Sequence, residues 1–251
     1  MGSRTVTACV LIIGNEILSG RTQDINLNHI ALTLGAWGIR IREARVIPDI
    51  ESTIINTLNE VRRTFDYVFT TGGIGPTHDD ITADCIAAAF GVPIVVNADI
   101  AARITSRPAP EDIMTSRLRM ARVPQGSTLI DNPTGGPQGF CIENVYVMAG
   151  IPMVMQAMLS TLEGKLEHGD VVRSRSVTVY VGESQIAAHL TDIQQAYPHI
   201  DLGSYPFFRD ERYGTSLVMR GTVESELDEM LQRVIAAIVE VGSTPENISR
   251  G

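Results

Sequence analysis

TTGGIGPTHDDIT, at residues 70–82, is the stretch that decides the fold. It follows a short aromatic and β-branched run at residues 67–69, which is typical of a buried strand in a parallel sheet. The segment after it, residues 81–90, is rich in alanine and predicts a helix. The sequence around this stretch therefore predicts a strand, a glycine-rich turn and a helix in succession.

The glycine-rich turn combines several features of an anion-binding site. Glycines let backbone N–H groups approach a ligand closely, and the N-terminus of a helix carries a partial positive charge. Gly72, Gly73 and Gly75 are therefore expected to bind a phosphate group. Asp79 and Asp80 would repel that phosphate unless a cation lay between them. The pair of acids therefore indicates a divalent metal ion, most simply Mg²⁺.

Two alternatives apply to the polar residues of this turn. Asp79 and Asp80 are also typical of acids that only cap a helix N-terminus. His78 is either an exposed or cap-stabilising side chain, or a residue that contacts a ligand or acts as an acid catalyst. The residue types leave both alternatives open.

Other segments predict that the same unit is repeated along the chain. The run Val6–Ile13 is almost uniformly apolar and predicts a strand buried on both faces, and a second strand is predicted at Ile39–Ile47. Apolar residues at helical spacing follow each of these strands. This alternation predicts an α/β fold with a doubly wound, mostly parallel sheet and helices on both faces.

Three polar loops are expected to meet at one edge of the sheet, because each follows a predicted strand. They are residues 14–26, Pro48 with Asp49, and residues 72–80, and Asp49 is also expected to open the next helix. A glycine- and proline-rich loop at residues 129–140 is typical of a binding loop. Neither GxxxxGK nor GxGxxG occurs in the sequence, so neither a P-loop nor a Rossmann dinucleotide site is indicated.

Composition and charge restrict the class of partner. The net charge of -9 and a pI of about 5.0 argue against general affinity for nucleic acid or an anionic membrane. No stretch approaches the roughly 20 apolar residues of a membrane span, and the first residues lack signal-peptide features, so a cytoplasmic location is expected. Cys9, Cys85 and Cys141 lie far apart inside apolar runs and are expected to be core residues.

The one basic cluster of the sequence lies between residues 98 and 122. These arginines form either a solvated helix face or a phosphate-facing surface. The cluster consists of Arg103, Arg107, Arg117, Arg119 and Arg122.

A charged stretch with little apolar periodicity, residues 163–175, predicts a boundary between two domains. The first domain is expected at residues 1–168, and the second at residues 172–243 with the order β-α-β-β-α. This small α+β domain is assigned to assembly or to partial coverage of the site. Residues 244–251 are expected to form a disordered tail.

Several motifs resemble the MoaB/Mog molybdopterin-binding superfamily, and more closely the amino-terminal region of the competence/damage-inducible CinA proteins. The most specific is the turn TGGIGPTHDD at residues 71–80. Further matches are GNEILSG at residues 14–20, Asn132-Pro133 with Gly135 and Gly139, and Gly150-Ile151-Pro152. The resemblance implies a three-layer α/β domain that binds a pterin or an adenine dinucleotide, followed by a small α/β domain. Because relatives are dimers or trimers, it also implies a homo-oligomer.

Site residues follow from the same resemblance. Asp49 and Asp80 are expected to be catalytic and, with Asp79, to hold a divalent cation, either Mg, Mn or Co. Molybdopterin is one ligand that the resemblance implies. The residues expected to bind a nucleotide or pterin are Gly14, Asn15, Glu16, Asp24, Asn26, Thr71, Gly72, Gly73, Gly75, Pro76, Thr77, His78, Asn132, Gly135 and Gly150.

Three activities are compatible with this resemblance. Asp79 stands where a basic residue is usual in relatives that transfer an adenylyl group to molybdopterin, so that activity is disfavoured. An additional acid instead favours metal-dependent hydrolysis of the pyrophosphate in an ADP-ribose-like or FAD-like dinucleotide. Val154 replaces an acid common in close relatives, which favours a module that binds a pterin or nucleotide without catalysis. The amidohydrolase domain of full-length CinA proteins has no counterpart in this sequence, so deamidation of nicotinamide mononucleotide is not expected.

Overall fold

The computed structural model describes residues 5–209 and 211–251, and the chain folds as two compact units that divide after Asp170. The strands of the first unit are β1 (Val6–Ile13), β2 (Ile39–Ile47), β3 (Tyr67–Thr71), β4 (Ile94–Val96), β5 (Arg122–Pro124), β6 (Thr128–Ile130), β7 (Gly139–Ile142) and β8 (Val145–Met148). Its helices are α1 (Asn15–Leu18), α2 (Asn26–Ala36), α3 (Glu51–Thr64), α4 (Thr82–Phe90), α5 (Ala98–Thr105), α6 (Glu111–Leu118) and α7 (Pro152–Ser160), and a 3-10 turn covers Arg119–Ala121.

A six-stranded sheet with the order β2-β1-β3-β8-β7-β6 forms the centre of the first unit. Strands β2, β1, β3 and β8 run parallel, and β7 and β6 continue the sheet antiparallel. Strand β1 lies between β2 and β3, and helices cover both faces of the sheet there, which explains why its sequence is apolar on both faces. The parallel strands end at one edge, so the loops that follow them are brought together there.

Alternation along β1 divides the core of the first unit into two layers. Ala8 and Val10 pack on one face of the sheet with the apolar residues of α2 and α7. Cys9 and Leu11 pack on the other face with residues of α3, α4 and α5. Successive side chains of a strand point to opposite faces, so one apolar run supplies both cores. The predicted α/β class, a three-layer, doubly wound and mostly parallel sheet, is confirmed.

The second unit is a separate α+β structure. Its elements are β9 (Arg173–Val179), α8 (Glu183–Ala196), β10 (Asp201–Arg209), β11 (Arg212–Gly221), α9 (Glu224–Glu240) and β12 (Glu246–Arg250). The strands form an antiparallel sheet with the order β10-β11-β9-β12. Apolar residues of α8 and α9, among them Ile186 and Leu231, are buried in the same core as Val177 and Leu217 of the sheet.

The prediction of a disordered tail at residues 244–251 is wrong in the structure. Residues Glu246–Arg250 form β12, which pairs antiparallel with β9 and carries an irregularity between Glu246 and Ser249. All of its side chains are exposed. The strand is held by backbone hydrogen bonds, including a reciprocal pair between Ser174 and Gly251. Because it has no apolar alternation, its sequence gives no strand signal.

Removing β12 is expected to loosen one edge of the second unit without unfolding it, because β12 contributes backbone pairing but no buried side chain. In a chain that ends at Ser243, amide exchange along β9 should become about tenfold faster, the effect of losing hydrogen bonds worth about 1 kcal/mol each. Hydrogen-exchange mass spectrometry measures this change, with β11 as the internal control. Unchanged exchange in β9 would contradict the pairing.

Two of the cysteines lie in the core as predicted. Cys9 and Cys85 are buried, and Cys141 is partly buried. Burial raises the pKa of the Cys9 thiol to about 12 and that of the Cys85 thiol to about 11, so both thiols stay protonated at neutral pH. Within the described part of the chain, no helix has the length and apolar character needed to cross a membrane.

Candidate functional site

The loops after β1 and β2 contact each other at the carboxyl edge of the sheet. The backbone N–H of Gly14 donates to the carbonyl of Ile47 at 3.1 Å, and the N–H of Asn15 donates to Asp49 Oδ2 at 2.9 Å. The expectation that Asp49 opens helix α3 is wrong, because the helix begins at Glu51. Its carboxylate instead connects the loops after β1 and β2.

The glycine-rich turn is fixed by its own backbone conformation. Gly72 and Gly73 adopt positive φ values of 101° and 67°, a region in which glycine is favoured. The hydroxyl of Thr82 donates to the Gly72 carbonyl at 3.0 Å, and the Thr82 N–H donates to the Gly73 carbonyl at 3.0 Å. The buried Thr82 thus ties the first residue of α4 to the turn.

Asp79 and Asp80 do not cap helix α4. The residue before the helix is Ile81, and no side chain caps it. Asp80 Oδ2 instead accepts hydrogen bonds from the Thr77 N–H at 2.8 Å and the Thr77 hydroxyl at 2.5 Å. The same hydroxyl lies close to the Asp79 carboxyl and lowers its pKa. The side chains of Asp79 and His78 are 66% and 97% exposed, so these two residues face solvent.

A cavity of about 550 Å³ lies against the glycine turn. It combines the turn with the loop after β8, the loop at residues 132–138 and the segment that precedes β5. The predicted ligand-binding residues that line it are Glu16, Gly72, Gly73, Gly75, Pro76, Asp80, Asn132 and Gly150. The turn therefore forms one wall of an open cavity at the carboxyl edge of the sheet.

Other predicted site residues do not line this cavity, as far as the described residues extend. Asn26 is buried and its Nδ2 donates to the Gly150 carbonyl at 2.8 Å, while Asp24 Oδ1 accepts from the Leu27 N–H at 2.9 Å. Gly135 lines a neighbouring cavity. The remaining predicted residues outside the lining are Gly14, Asn15, Asp49, Thr71, Thr77, His78 and Asp79.

Two arginines and one acid of the cavity were not among the predicted site residues. Arg122 Nη2 lies 2.5 Å from Asp84 Oδ1, so this ion pair neutralises both charges. Arg119 also lines the cavity, is exposed, and pairs with no carboxylate among the residues that the structure describes. The arginine cluster at residues 98–122 includes Arg119 and Arg122, but the sequence left open whether its members face solvent or phosphate. Strand β5 pairs with β4, which places Arg122 in this region.

The carboxylates fit a hard cation only in part. In the described part of the chain, no group of three acids, histidines or cysteines is arranged to hold a metal. Glu16 and Asp80 line the cavity, however, and Asp80 Oδ1 accepts no hydrogen bond from described residues. Mg²⁺ is typically bound by one or two carboxylates together with substrate phosphates and water. The described residues of the cavity therefore supply carboxylates for part of a cation's ligands and do not form a complete metal site.

The parallel strands are followed by a glycine turn that lines a cavity. This arrangement is typical of α/β domains that bind their ligands at the carboxyl edge of the sheet. Residues 9–168 match the family described as "Probable molybdopterin binding domain". The chain belongs to this family, the MoaB/Mog-type domains, as its motifs predicted. Residues 171–245 match the family described as "FAD synthase, middle domain".

Individual relatives agree with this assignment. A protein of Archaeoglobus fulgidus is 30% identical over 78% of this chain and 84% of its own. A CinA-like protein of Gemmatimonas aurantiaca is 31% identical over 78% of this chain, which spans only 50% of that relative. The solved structure of a CinA protein of unknown function from Thermoplasma acidophilum is 31% identical, covers 64% of this chain and 99% of its own, and has a TM-score of 0.60.

Proposed function

We propose that the protein hydrolyses the pyrophosphate bond of an ADP-ribose-like or FAD-like dinucleotide with the help of a divalent cation. One observation carries this proposal. The cavity of about 550 Å³ contains a glycine turn, the carboxylate of Asp80 and the guanidinium of Arg119, which no described carboxylate neutralises. The glycine turn and the guanidinium are groups that bind phosphate, and the carboxylate is a group that binds a hard cation. The match of the second unit to the middle domain of FAD synthase also supports a dinucleotide ligand.

The residues of the cavity have separate tasks in this proposal. Gly73 and Gly75 would present backbone N–H groups to one phosphate of the ligand, because a glycine has no side chain between its backbone and the ligand. The N–H of Gly72 already donates to the carbonyl of Met148 at 3.3 Å, so Gly72 shapes the turn instead. Arg119 would hold the second phosphate through charge-assisted hydrogen bonds. The apolar part of the lining, including Met158 and Phe140, has the character needed to enclose a flat ring.

Asp80 and Glu16 are the residues that would hold the cation, and the cation would neutralise charge on the anhydride and lower the pKa of water. The balanced reaction forms a bond between the water oxygen and phosphorus and breaks the bridging P–O bond. ADP-ribose would therefore yield AMP and ribose 5-phosphate. Asp84 is held by Arg122, so its task is to keep that arginine in position.

Release of AMP tests this proposal directly. The unmodified protein, incubated with ADP-ribose or FAD and with Mg²⁺, Mn²⁺ or Co²⁺, is expected to release AMP that chromatography can quantify. Addition of EDTA should stop the release, because the cation supplies the charge neutralisation. Absence of AMP with every metal and both substrates would overturn the proposed hydrolysis.

A second candidate function is supported by Val154. This side chain lines the cavity where the resemblance leads one to expect an acid, so the cation has one carboxylate fewer. The protein would then bind a pterin or nucleotide without turning it over. Calorimetry with ADP-ribose distinguishes the two functions: metal-independent binding with no product supports the binding module, whereas metal-dependent AMP release excludes it.

Self-association is a further part of this proposal. We expect a dimer or trimer, as the family resemblance implies. Light scattering coupled to size-exclusion chromatography gives the mass in solution, and a mass equal to that of one 27.3 kDa chain would contradict this expectation.

A further inference from the structure

A second cavity, of about 370 Å³, lies beside the first and is basic. Its lining includes Arg103, Arg107 and Arg117, and it shares Met120, Gly136 and Pro137 with the larger cavity. Among the residues that the structure describes, no carboxylate lines this second cavity. In a chain with a net charge of -9, such a concentration of positive charge requires an explanation.

Arg103 has a structural role in this cavity. Its Nη1 donates to the carbonyls of Asn132 and Gly136, each at 3.2 Å, and its Nη2 lies 3.3 Å from Asp131 Oδ1. These bonds hold the loop between β6 and β7 against α5. The carboxylate of Asp131 partly neutralises Arg103, so this arginine contributes shape more than free charge.

Arg107 and Arg117 have no such carboxylate partner in the described chain. Nη2 of Arg107 lies so close to Gly135 that a Cβ at this glycine would be 3.0 Å from it. The Nη1 of Arg117 reaches the carbonyl of Arg107 only at 3.5 Å. Both guanidinium groups therefore keep most of their donors unused, although they lie on the wall of the same cavity.

Stabilisation of helix C-termini explains only part of this arrangement. Arg103 and Arg117 lie in the last turns of α5 and α6, where a positive charge is favourable. Arg107 lies beyond the end of α5 and before the start of α6, so the helix dipole does not account for it. Close to the other two arginines, the positive charge of Arg107 is repelled by theirs unless an anion lies among them.

We propose that this second cavity is a phosphate-binding site. A phosphoryl group is the ligand whose charge and oxygen atoms match two guanidinium groups that no described carboxylate neutralises. The phosphate is either a free ion or the terminal phosphomonoester of a ligand that also occupies the larger cavity, since the two cavities share lining residues. This proposal does not depend on hydrolysis in the larger cavity.

Calorimetry with inorganic phosphate tests the proposal. We expect saturable binding to the unmodified protein and binding at least about tenfold weaker to Arg107→Gln and to Arg117→Gln, because each loses a charge-assisted interaction. Arg42→Gln is the matched control, because Arg42 is exposed on β2 and lies outside both cavities. Its replacement by glutamine removes the same charge. Arg103 is left intact because it holds the loop between β6 and β7.

The same titrations distinguish the two sources of phosphate. If a free ion binds, phosphate affinity is unchanged in protein saturated with ADP-ribose. If the phosphate belongs to the larger ligand, ADP-ribose 2′-phosphate binds more tightly than ADP-ribose to the unmodified protein but not to Arg107→Gln. Either result supports the site. Failure to bind phosphate, or equal binding by the unmodified protein, Arg107→Gln and Arg117→Gln, would overturn it.

Discussion

Replacement of Asp80 by asparagine is expected to lower the rate of AMP release from ADP-ribose by about 100- to 1,000-fold, the range typical for loss of one preorganised electrostatic contact. Asp80 is the acid of the glycine turn that lines the cavity. Its negative charge would hold the cation close to the anhydride, and a neutral amide is a much poorer ligand for a hard cation. The loss should appear in kcat/KM at each metal concentration at which the unmodified protein is active.

Asparagine removes the charge of Asp80 but can keep the hydrogen bonds through which Asp80 holds the turn. Asp80 Oδ2 accepts the N–H and the hydroxyl of Thr77, and an asparagine oxygen can accept both bonds. The melting temperature of Asp80→Asn should therefore stay within about 2 °C of the unmodified protein, since little stability is lost. Circular dichroism measures the melting temperature on the same samples used for kinetics.

Asp99→Asn is the matched control, because Asp99 is an exposed acid in the first turn of α5 and lies outside both cavities. It should hydrolyse ADP-ribose at the unmodified rate. Asp79→Asn tests whether the neighbouring acid shares the cation: a loss as large as that of Asp80→Asn assigns both residues to it. Hydrolysis by Asp80→Asn at the unmodified rate would contradict the role given to Asp80.

Local patterns in the sequence were sufficient to predict the central elements of the fold. Val6–Ile13 is apolar at consecutive positions because β1 has a helical layer on each side. The turn after β3 was predicted from its glycines, and the structure shows the reason: Gly72 and Gly73 have positive φ values. These features arise within one strand or one turn, so the sequence contains the information locally.

Features that depend on distant segments could not be predicted in the same way. The ion pair between Asp84 and Arg122 joins residues 38 positions apart, and it forms beside the pairing of β4 with β5. No pattern around either residue specifies that partner. Strand β12 is similar: its residues are polar and exposed, and it exists because β9 offers an unpaired edge.

The site shows the same limit at the level of single side chains. The residue types of the glycine turn did not distinguish Asp80, which lines the cavity, from the exposed Asp79, and only the family resemblance singled out Asp80. The difference arises from the direction in which the turn presents each carboxylate, and Thr77 fixes that direction for Asp80. A hydrogen bond of this kind inside a loop has no characteristic residue spacing.

Replacement of Gly72 by alanine is expected to destabilise the first unit by about 3 to 5 kcal/mol, a value reached when backbone strain and a steric clash combine. Gly72 has a φ of 101°, which a residue with a side chain adopts at a cost. A Cβ at this position would also lie 2.1 Å from the carbonyl oxygen of Ile13 at the end of β1. Because that oxygen belongs to the central strand, it cannot move aside without disturbing the sheet.

Urea unfolding followed by the fluorescence of Trp37 measures this loss. Trp37 is the single tryptophan of the chain and is buried in the core of the first unit, where it stacks on His168. The second unit has no tryptophan, so this signal reports only the unit that contains Gly72. Binding of ADP-ribose should be lost as well, since the turn forms a wall of the cavity.

Gly91→Ala separates the clash from the strain. Gly91 ends helix α4 with a φ of 67°, and a Cβ there would meet no atom within 4 Å. Alanine at this position should cost only about 1 to 2 kcal/mol, the usual penalty of a left-handed conformation. The difference between the two variants then measures the contact between Gly72 and Ile13. Equal destabilisation would mean that the turn can move away from β1, and the cavity wall would then be less rigid than its hydrogen bonds indicate.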